Sequence, residues 1–132
     1  MTETGRRPLL VVDAANVIGS RPDGWWRDRP AAVRRLLKEI TDGTDDTVDI
    51  VLVVEGQARE GVAPGVHAGV EVVHAAGSGD DEIVRVVAAE AAGKRRPVTV
   101  VTADRLLRER VTALGARVLG PRQFRDRLTA AS

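Results

Sequence analysis

Short and almost continuous runs of apolar residues recur along the chain, each bounded by turn-forming residues. The four strongest, all rich in valine, cover residues 8–12, 48–54, 70–74 and 98–102, and a weaker one covers 116–119. Runs of this length without polar alternation are typical of strands that are buried on both faces, as in a parallel sheet. The pattern therefore predicts a mostly parallel sheet of about five strands.

Between these runs, apolar residues recur at the spacing of a helix. The pattern predicts four helices, which begin near Pro30, Ser78, Asp104 and Pro121. Ser78 and Asp81 also match the two ends of a helix-capping box. Residues 56–69 contain glycine and proline without a clear period, so we expect a loop or a short, weak helix there. Strands that alternate with helices indicate an α/β domain.

The length and composition are those of one globular domain. The chain has 132 residues, of which 43% are hydrophobic and 30% are charged, and such a chain buries enough surface for a core without disulfides. We expect one domain over residues 1–132. No apolar run approaches the ~20 residues of a membrane span, so no membrane contact is expected. The absence of cysteine excludes thiol catalysis and cysteine zinc sites, and it fits a reducing cytoplasm, where we expect the protein to act.

An acidic residue follows each of the four main apolar runs. Asp13, Glu55 and Asp104 follow the first, second and fourth runs, and Asp80 opens the helix after the third. Because the carboxyl ends of parallel strands meet at one edge of a sheet, where ligands bind, we expect these four side chains to lie close together. Any one of them alone would be interpreted as a helix cap. Four in the same position relative to their strands favour a shared site.

Helical phase distinguishes Asp80 from Asp81, which follows it directly. Asp80 lies three, four and seven residues before apolar positions of the same predicted helix, so its side chain should point toward the end of the sheet. Asp81 is turned about 100° away and suits the capping role. We therefore favour Asp80 as a site residue and keep Asp81 in reserve.

Carboxylates that are held close together repel one another unless a cation lies between them. All-oxygen sites select hard divalent ions, so we expect Mg²⁺ or Mn²⁺. Such an ion, with open water positions, activates water and shields the charge of a phosphodiester. The expected reaction is therefore metal-assisted phosphodiester hydrolysis, and its expected ligands are Asp13, Asp80 and Asp104, with Glu55 and Asp81 as additional acids.

Three uncharged polar residues near these acids have expected supporting roles. Asn16, three positions after Asp13, would orient the substrate or a bound water. The hydroxyl groups of Ser78 and Thr102 would support the metal ligands from behind.

Charge is distributed unevenly along the chain. Residues 1–35 carry seven basic and four acidic side chains, residues 36–93 carry three and twelve, and residues 94–132 carry ten and three. Basic ends around an acidic middle indicate a polyanionic partner, and a set of solvated helix faces is the alternative. Candidate contacts to a nucleic-acid backbone are Arg95, Arg96, Arg122, Arg125 and Arg127.

The segment after the first strand interleaves tryptophan with arginine. Exposed tryptophans there would stack on RNA bases while the arginines hold phosphates. For at least one tryptophan, packing of the first helix against the sheet is favoured, because the chain has just one other aromatic residue. The candidate RNA contacts near the site are Arg21, Trp25, Trp26, Arg27 and, after the fourth strand, Arg105.

Three segments of this sequence resemble a known nuclease family. They are Val-Val-Asp-Ala-Ala-Asn-Val-Ile-Gly at 11–19, the Asp-Asp pair at 80–81 and Val-Thr-Ala-Asp at 101–104. Together they resemble the NYN branch of the PIN-like nuclease superfamily, and within it the YacP-like group. The resemblance runs from about residue 9 to about residue 128, and it implies a PIN-like three-layer α/β/α sandwich with strand order 3-2-1-4-5.

The resemblance also implies a divalent-metal ribonuclease site at Asp13, Asp80 and Asp104, with Asn16 beside the first. RNA is the implied partner. Some relatives act on the ribosome, and others are toxins paired with antitoxins. Glu55 does not map onto an acid of the family, and the family assigns no function to the segment that contains the two tryptophans.

We therefore expect a cytoplasmic, divalent-metal-dependent endoribonuclease that hydrolyses RNA phosphodiester bonds, with Mg²⁺ or Mn²⁺ as cofactor. Three alternatives stay open. They are a non-catalytic RNA- or ribosome-binding module on the same fold, a metal-dependent nucleotide phosphohydrolase, and a plain interaction protein. A homodimer and a protein partner are both compatible with the sequence.

Overall fold

One sheet lies at the centre of the computed structural model, which describes residues 7–44, 46–93 and 96–131; Arg95, a candidate RNA contact, lies outside the described residues. The strands are β1 (Leu9–Asp13), β2 (Asp49–Val54), β3 (Gly65–His67), β4 (Val70–His74), β5 (Val98–Val101) and β6 (Arg117–Leu119). Their order across the sheet is β3-β4-β2-β1-β5-β6. All neighbouring strands are parallel except β3 and β4.

Helices cover both faces of this sheet. They are α1 (Ala14–Gly19), α2 (Arg29–Gly43), α3 (Gly79–Gly93), α4 (Arg105–Ala113) and α5 (Pro121–Ala131), with single turns of 3-10 helix at Trp25–Arg27 and a longer one at Gly56–Gly61. Residues of α1, α2 and α5 form one apolar core with the sheet, and residues of α3 and α4 form the other. The α/β/α sandwich is therefore confirmed.

Strand residues alternate between these two cores. Val12 and Leu52 pack with α1, α2 and α5, whereas Val11 and Val51 pack with α3 and α4. Because each face of the sheet is covered by helices, both sets of side chains must be apolar. This is why the strands appear in the sequence as valine-rich runs rather than as an alternating pattern.

The five predicted strands lie in the predicted order, and the structure adds one strand that was not expected. β3 is a short antiparallel edge strand within the segment assigned to a loop or weak helix. Its residue Val66 is 73% exposed, so no buried pattern marks the strand in the sequence. Ala68 and Gly69 both have positive φ, at 51° and 88°, as a two-residue hairpin turn requires.

The predicted helix starts are explained by their caps. The Asp28 carboxylate accepts a hydrogen bond of 3.0 Å from the amide of Ala31 at the start of α2, where Pro30 lies in the first turn. The short helix α1 was missed, because it follows β1 directly without a turn residue between them. In the described part of the chain, no helix combines the length and the apolar character needed to cross a membrane.

Candidate active site

The carboxyl edge of the sheet brings the predicted acids together around its central strand. Asp13 is the last residue of β1, which lies between β2 and β5. Glu55 follows β2 directly, and Thr102 follows β5 directly. Because the chain runs outward from β1 in both directions across the sheet, this edge contains the switch point at which ligands of such folds bind.

Asp13 is the most buried acid of this edge, with only 6% of its surface exposed. Its carboxylate accepts hydrogen bonds from the Thr102 hydroxyl at 3.0 Å and from the Asn16 amide at 3.4 Å. Burial, joined by the smaller effects of the Asp80 and Glu55 charges, raises the pKa of Asp13 to about 6, against the lowering effect of these two hydrogen bonds. A buried carboxylate of this kind is stabilised by any cation that reaches it.

Asp80 lies in the first turn of α3 and is half-buried. Burial is the largest cause that raises its pKa, followed by repulsion from Asp104 and then from Glu55, while Arg110 acts in the opposite direction. The charges of Asp104 and Glu55 therefore act on Asp80, and those of Asp80 and Glu55 act on Asp13. The four strand-end acids are thus linked by pairwise repulsion at one edge of the sheet, and their shared metal site stays a prediction.

Glu55 is fixed by a contact that sequence reasoning missed. Its Oε1 atom accepts a hydrogen bond from the amide of Gly79, the first residue of α3. A side chain at position 79 would overlap the Glu55 carboxylate, so glycine there lets Glu55 keep this position. The Gly-Ser-Gly sequence before the acidic pair was the available signal. The contact ties the end of β2 to α3 and so sets the position of Asp80.

A second set of hydrogen bonds fixes the other side of the edge. The Thr102 hydroxyl, fully buried, also accepts a hydrogen bond of 3.2 Å from the Asp104 amide. The Asp104 carboxylate caps α4 by accepting from the Leu107 amide at 2.9 Å. Asn16 Oδ1 accepts a hydrogen bond of 2.8 Å from the backbone amide of Ala103. The side-chain nitrogen of Asn16, Nδ2, is therefore directed away from that loop.

Asp81 and Ser78 lie to the side of this cluster. Asp81 is exposed and forms a 3.0 Å ion pair with Arg110 of α4. The Ser78 hydroxyl accepts a hydrogen bond of 3.1 Å from the Asp81 amide and so caps α3. The Ser78 half of the predicted capping box is therefore present, whereas the Asp81 carboxylate pairs with Arg110.

The two tryptophans differ in their environment. Trp25 is half-buried and packs against the core that contains α1, whereas Trp26 is 49% exposed. Their rings are perpendicular, with centroids 5.9 Å apart. Arg29 lies over the Trp25 ring at 5.3 Å, and Arg27 lies over the Trp26 ring at 5.7 Å. Packing, the interpretation favoured for one tryptophan, applies to Trp25.

The candidate arginines fall into two groups. Arg105, exposed at the start of α4, lies beside Asp104. Arg21 forms a 3.5 Å ion pair with Glu39 at the surface. Arg125 and Arg96 are instead held by structural contacts. Arg125 pairs with Glu39 at 2.8 Å, while Arg96 bridges Glu90, at the end of α3, and Asp49, at the amino end of β2. Arg96 therefore lies at the opposite edge of the sheet from the acids.

The donor set at the carboxyl edge fits a hard divalent cation in chemistry and in charge. All four acids offer carboxylate oxygens, and burial, together with repulsion from neighbouring acids, raises the pKa of Asp13 and Asp80. Across residues 7–44, 46–93 and 96–131, however, no three His, Asp or Glu side chains form a ready-made metal site. Glu55 and Asp104 each direct one carboxylate oxygen at a backbone amide in the first turn of a helix.

This chain is similar to known proteins in its sequence and in its fold. A family model described as the YacP-like NYN domain matches residues 10–132. The fold is similar to that of two crystal structures of Rae1 (YacP) from Bacillus subtilis. A mutant form has a TM-score of 0.77 at 18% identity, over 94% of this chain and 76% of that one. The other structure has a TM-score of 0.74 at 17% identity, over 93% and 74% of the two chains. No curated protein matches the chain.

Proposed function

Because the chain belongs to the YacP-like NYN domain family, a branch of the PIN-like nucleases, we propose that it is an endoribonuclease that hydrolyses RNA phosphodiester bonds at the carboxyl edge of its sheet. The observation that carries this proposal is the Asp13 carboxylate at the carboxyl edge, whose pKa burial raises to about 6, with a smaller contribution from the neighbouring acids. Such an arrangement is costly for the folded protein, and it is typical of functional sites. The lack of cysteine fits a reducing cytoplasm, where we place the activity.

Mg²⁺ or Mn²⁺ is the cofactor that this donor set would hold. The expected ligands are Asp13, Asp80 and Asp104, with Glu55 as a further acid near the ion. When bound, the ion supplies a water of lowered pKa and shields the charge of the phosphodiester. The chain itself keeps Asp13 oriented through the hydrogen bonds of Thr102 and Asn16.

Neighbouring polar groups would position the RNA. The side-chain nitrogen of Asn16, Nδ2, points away from the Ala103 loop and would donate a hydrogen bond to a phosphate oxygen or to the attacking water. Arg105 next to Asp104, and Arg27 in the tryptophan segment, would hold flanking phosphates, whose charge they match. Free RNA and ribosome-bound RNA both present these groups.

Cleavage of a labelled RNA by the purified chain tests the proposal. We expect cleavage with Mn²⁺ that stops when EDTA is added. Asp104→Asn keeps a good helix cap but weakens a ligand, so activity should fall by more than the roughly 10- to 100-fold that loss of an outer partner costs. Asp126→Asn, the same change at an exposed position of α5, should retain full activity. Equal activity of both variants would contradict the proposal.

A second candidate function is a non-catalytic RNA-binding module on the same fold. The observation that favours it is that no three acids in the described residues form a ready-made metal site. Its signature is RNA binding that weakens with salt, since phosphate contacts release counterions, without cleavage under Mg²⁺ or Mn²⁺. The same assay, read for binding as well as for product, separates the two functions.

A further inference from the structure

We propose that the cavity between α1, the tryptophan segment and the 3-10 helix Gly56–Gly61 is a nucleobase subsite, in which Trp25 provides the aromatic wall. The base would belong to a nucleotide next to the bond that is cleaved. This inference rests on the proposed function and adds to it a place where the substrate is gripped through a base rather than through its phosphates.

The cavity has a volume of about 220 Å³. This is smaller than the roughly 300–1,000 Å³ of pockets that enclose drug-sized ligands, so it suits one planar ring system. Its apolar surface comes from Ala14, Ile18 and Ala58, and its remaining walls include Trp25, Arg29 and Glu55.

The cavity borders the acidic cluster at Glu55. Ala14, which lines it, follows Asp13 directly along the chain. Glu55 lines it as well, and the Glu55 charge is among the causes that raise the pKa of Asp13. A ligand in the cavity therefore lies beside the acids that we assign to hydrolysis, as a nucleotide adjoining the scissile phosphate must.

The ring of Trp25 is held in place before any ligand arrives. Gly24 adopts a positive φ of 83°, which turns the chain into the 3-10 turn. The carbonyl of Trp25 accepts a hydrogen bond of 3.2 Å from the Asp28 amide, and Asp28 in turn caps α2. A side chain at Gly19 would contact the ring. A base that stacks there therefore loses little binding free energy to the ordering of the Trp25 side chain.

The mixture of groups around the cavity selects a nucleobase over simpler ligands. A bare phosphate would meet the carboxylate of Glu55, and a purely apolar ligand would cover the charges of Glu55 and Arg29 without satisfying them. A base offers a flat face that can stack on the Trp25 ring or on the Arg29 guanidinium, which lies over that ring. The edge of a base also carries N–H groups, which can donate hydrogen bonds to the Glu55 carboxylate.

Trp26 serves as an internal control for this inference. It is 49% exposed and does not line the cavity. The chain contains two tryptophans and no tyrosine, so each ring can be isolated by one substitution. Trp26→Phe leaves Trp25 as the single tryptophan, and Trp25→Phe leaves Trp26.

Fluorescence of these two variants, excited at the red edge of tryptophan absorption, tests the subsite without requiring catalysis. Each is titrated in EDTA with uridine 5′-monophosphate, guanosine 5′-monophosphate and ribose 5-phosphate. We expect saturable quenching of Trp25 by at least one nucleotide but not by ribose 5-phosphate, and no saturable quenching of Trp26. Equal responses to nucleotide and sugar phosphate, equal quenching of both rings, or no quenching of Trp25 would overturn the inference.

A cleavage assay then separates this inference from the proposed function. Removal of one base from the RNA substrate next to the cleaved bond should lower cleavage by roughly 5- to 150-fold, which is the contribution of one stacked base. The loss should be much smaller in Trp25→Leu than in Trp26→Leu, with folding of both variants checked by thermal melting. Cleavage that does not depend on the base would overturn the subsite inference alone. Base-dependent quenching without any cleavage, by the native chain or by a variant, would overturn the proposed nuclease function alone.

Discussion

The Thr102 hydroxyl donates a 3.0 Å hydrogen bond to the buried Asp13 carboxylate, across 89 positions of the sequence. This bond joins the ends of β1 and β5 at the switch point of the sheet. It also gives Asp13 a donor that favours its charged form, against the burial that disfavours it. The balance between these two effects makes the site testable through stability as well as through activity.

Asp13→Asn should raise the free energy of unfolding in a manner that depends on pH. The folded-state pKa of Asp13 is raised to about 6. Below about pH 4 this residue costs no stability, because its carboxyl group is protonated in both the folded and the unfolded chain. The cost then grows as the pH rises to about 6, because the unfolded chain ionises more readily than the folded one. The full cost is about 3 kcal/mol by linkage. Asparagine removes this cost but makes one poorer hydrogen bond, so we expect a net gain of about 1–2 kcal/mol at pH 8.

Urea unfolding of both forms between pH 4 and pH 8 measures this effect. The stability difference between Asp13→Asn and the native chain should widen with pH up to about 7 and then level off. A difference that is constant over this range would mean that Asp13 titrates normally in the folded protein.

Thr102→Val should have the opposite effect on the same carboxylate. The variant is close in shape but leaves Asp13 without its hydroxyl donor and the Asp104 amide without its acceptor. We expect a loss of about 2–3 kcal/mol at pH 8, since hydrogen bonds to charged groups contribute about 1.5–3 kcal/mol. The loss should be smaller at pH 4, where Asp13 is protonated. Thr112→Val, at an exposed position of α4, is the matched control and should change stability by less than about 1 kcal/mol.

Gly79→Ala tests the contact that fixes Glu55 to α3. The added carbon would overlap the Glu55 carboxylate and displace it. We expect a loss of about 1–2 kcal/mol in stability, as overpacking costs, together with reduced RNA cleavage. Gly77→Ala is the control two residues earlier, because a side chain there has open space around it. If the two alanine variants have the same free energy of unfolding and the same rate of RNA cleavage, the link between Glu55 and α3 has no role in the site.

Arg105 and Arg96 should respond in opposite ways to neutralisation. Arg105→Gln should weaken RNA binding and lower the salt slope by about one phosphate contact, with little change in stability. Arg96→Gln should lower stability, because it leaves Glu90 without this partner and Asp49 with Arg7 alone, and should leave RNA affinity unchanged. Filter binding in EDTA at several salt concentrations, combined with thermal melting, compares the two. Equal effects on RNA affinity would show that position relative to the acids does not matter.

The mostly parallel sheet followed from the apolar pattern because both of its faces are buried, whereas the strand order was implied by the family resemblance. Each central strand is therefore an unbroken apolar run, and a helix-starting residue such as Pro30 or Asp104 marks the next element. The edge strand β3 escaped prediction because its side chains are exposed, so burial leaves no pattern in it.

Within the candidate site, the approximate location of the acids was predictable and their individual contacts were not. The convergence of Asp13 and Asp80 follows from parallel strands that end at one edge. The pairing of Glu55 with the Gly79 amide depends on distance in space between residues 24 positions apart, which no local pattern records. The same applies to Arg96, whose ion pairs across the amino edge look in the sequence like a free basic patch.

The central claim is that carboxylates from separate strands hold one divalent cation, and Mn²⁺ titration calorimetry of neighbouring variants tests it most directly. Asp80 faces the other acids, whereas Asp81 is exposed and paired with Arg110. At pH 7.5 we predict saturable Mn²⁺ binding to the native chain, about 10-fold or more weaker binding to Asp80→Asn, and nearly native binding to Asp81→Asn. Native affinity in Asp80→Asn, or no saturable binding to the native chain, would contradict the claim.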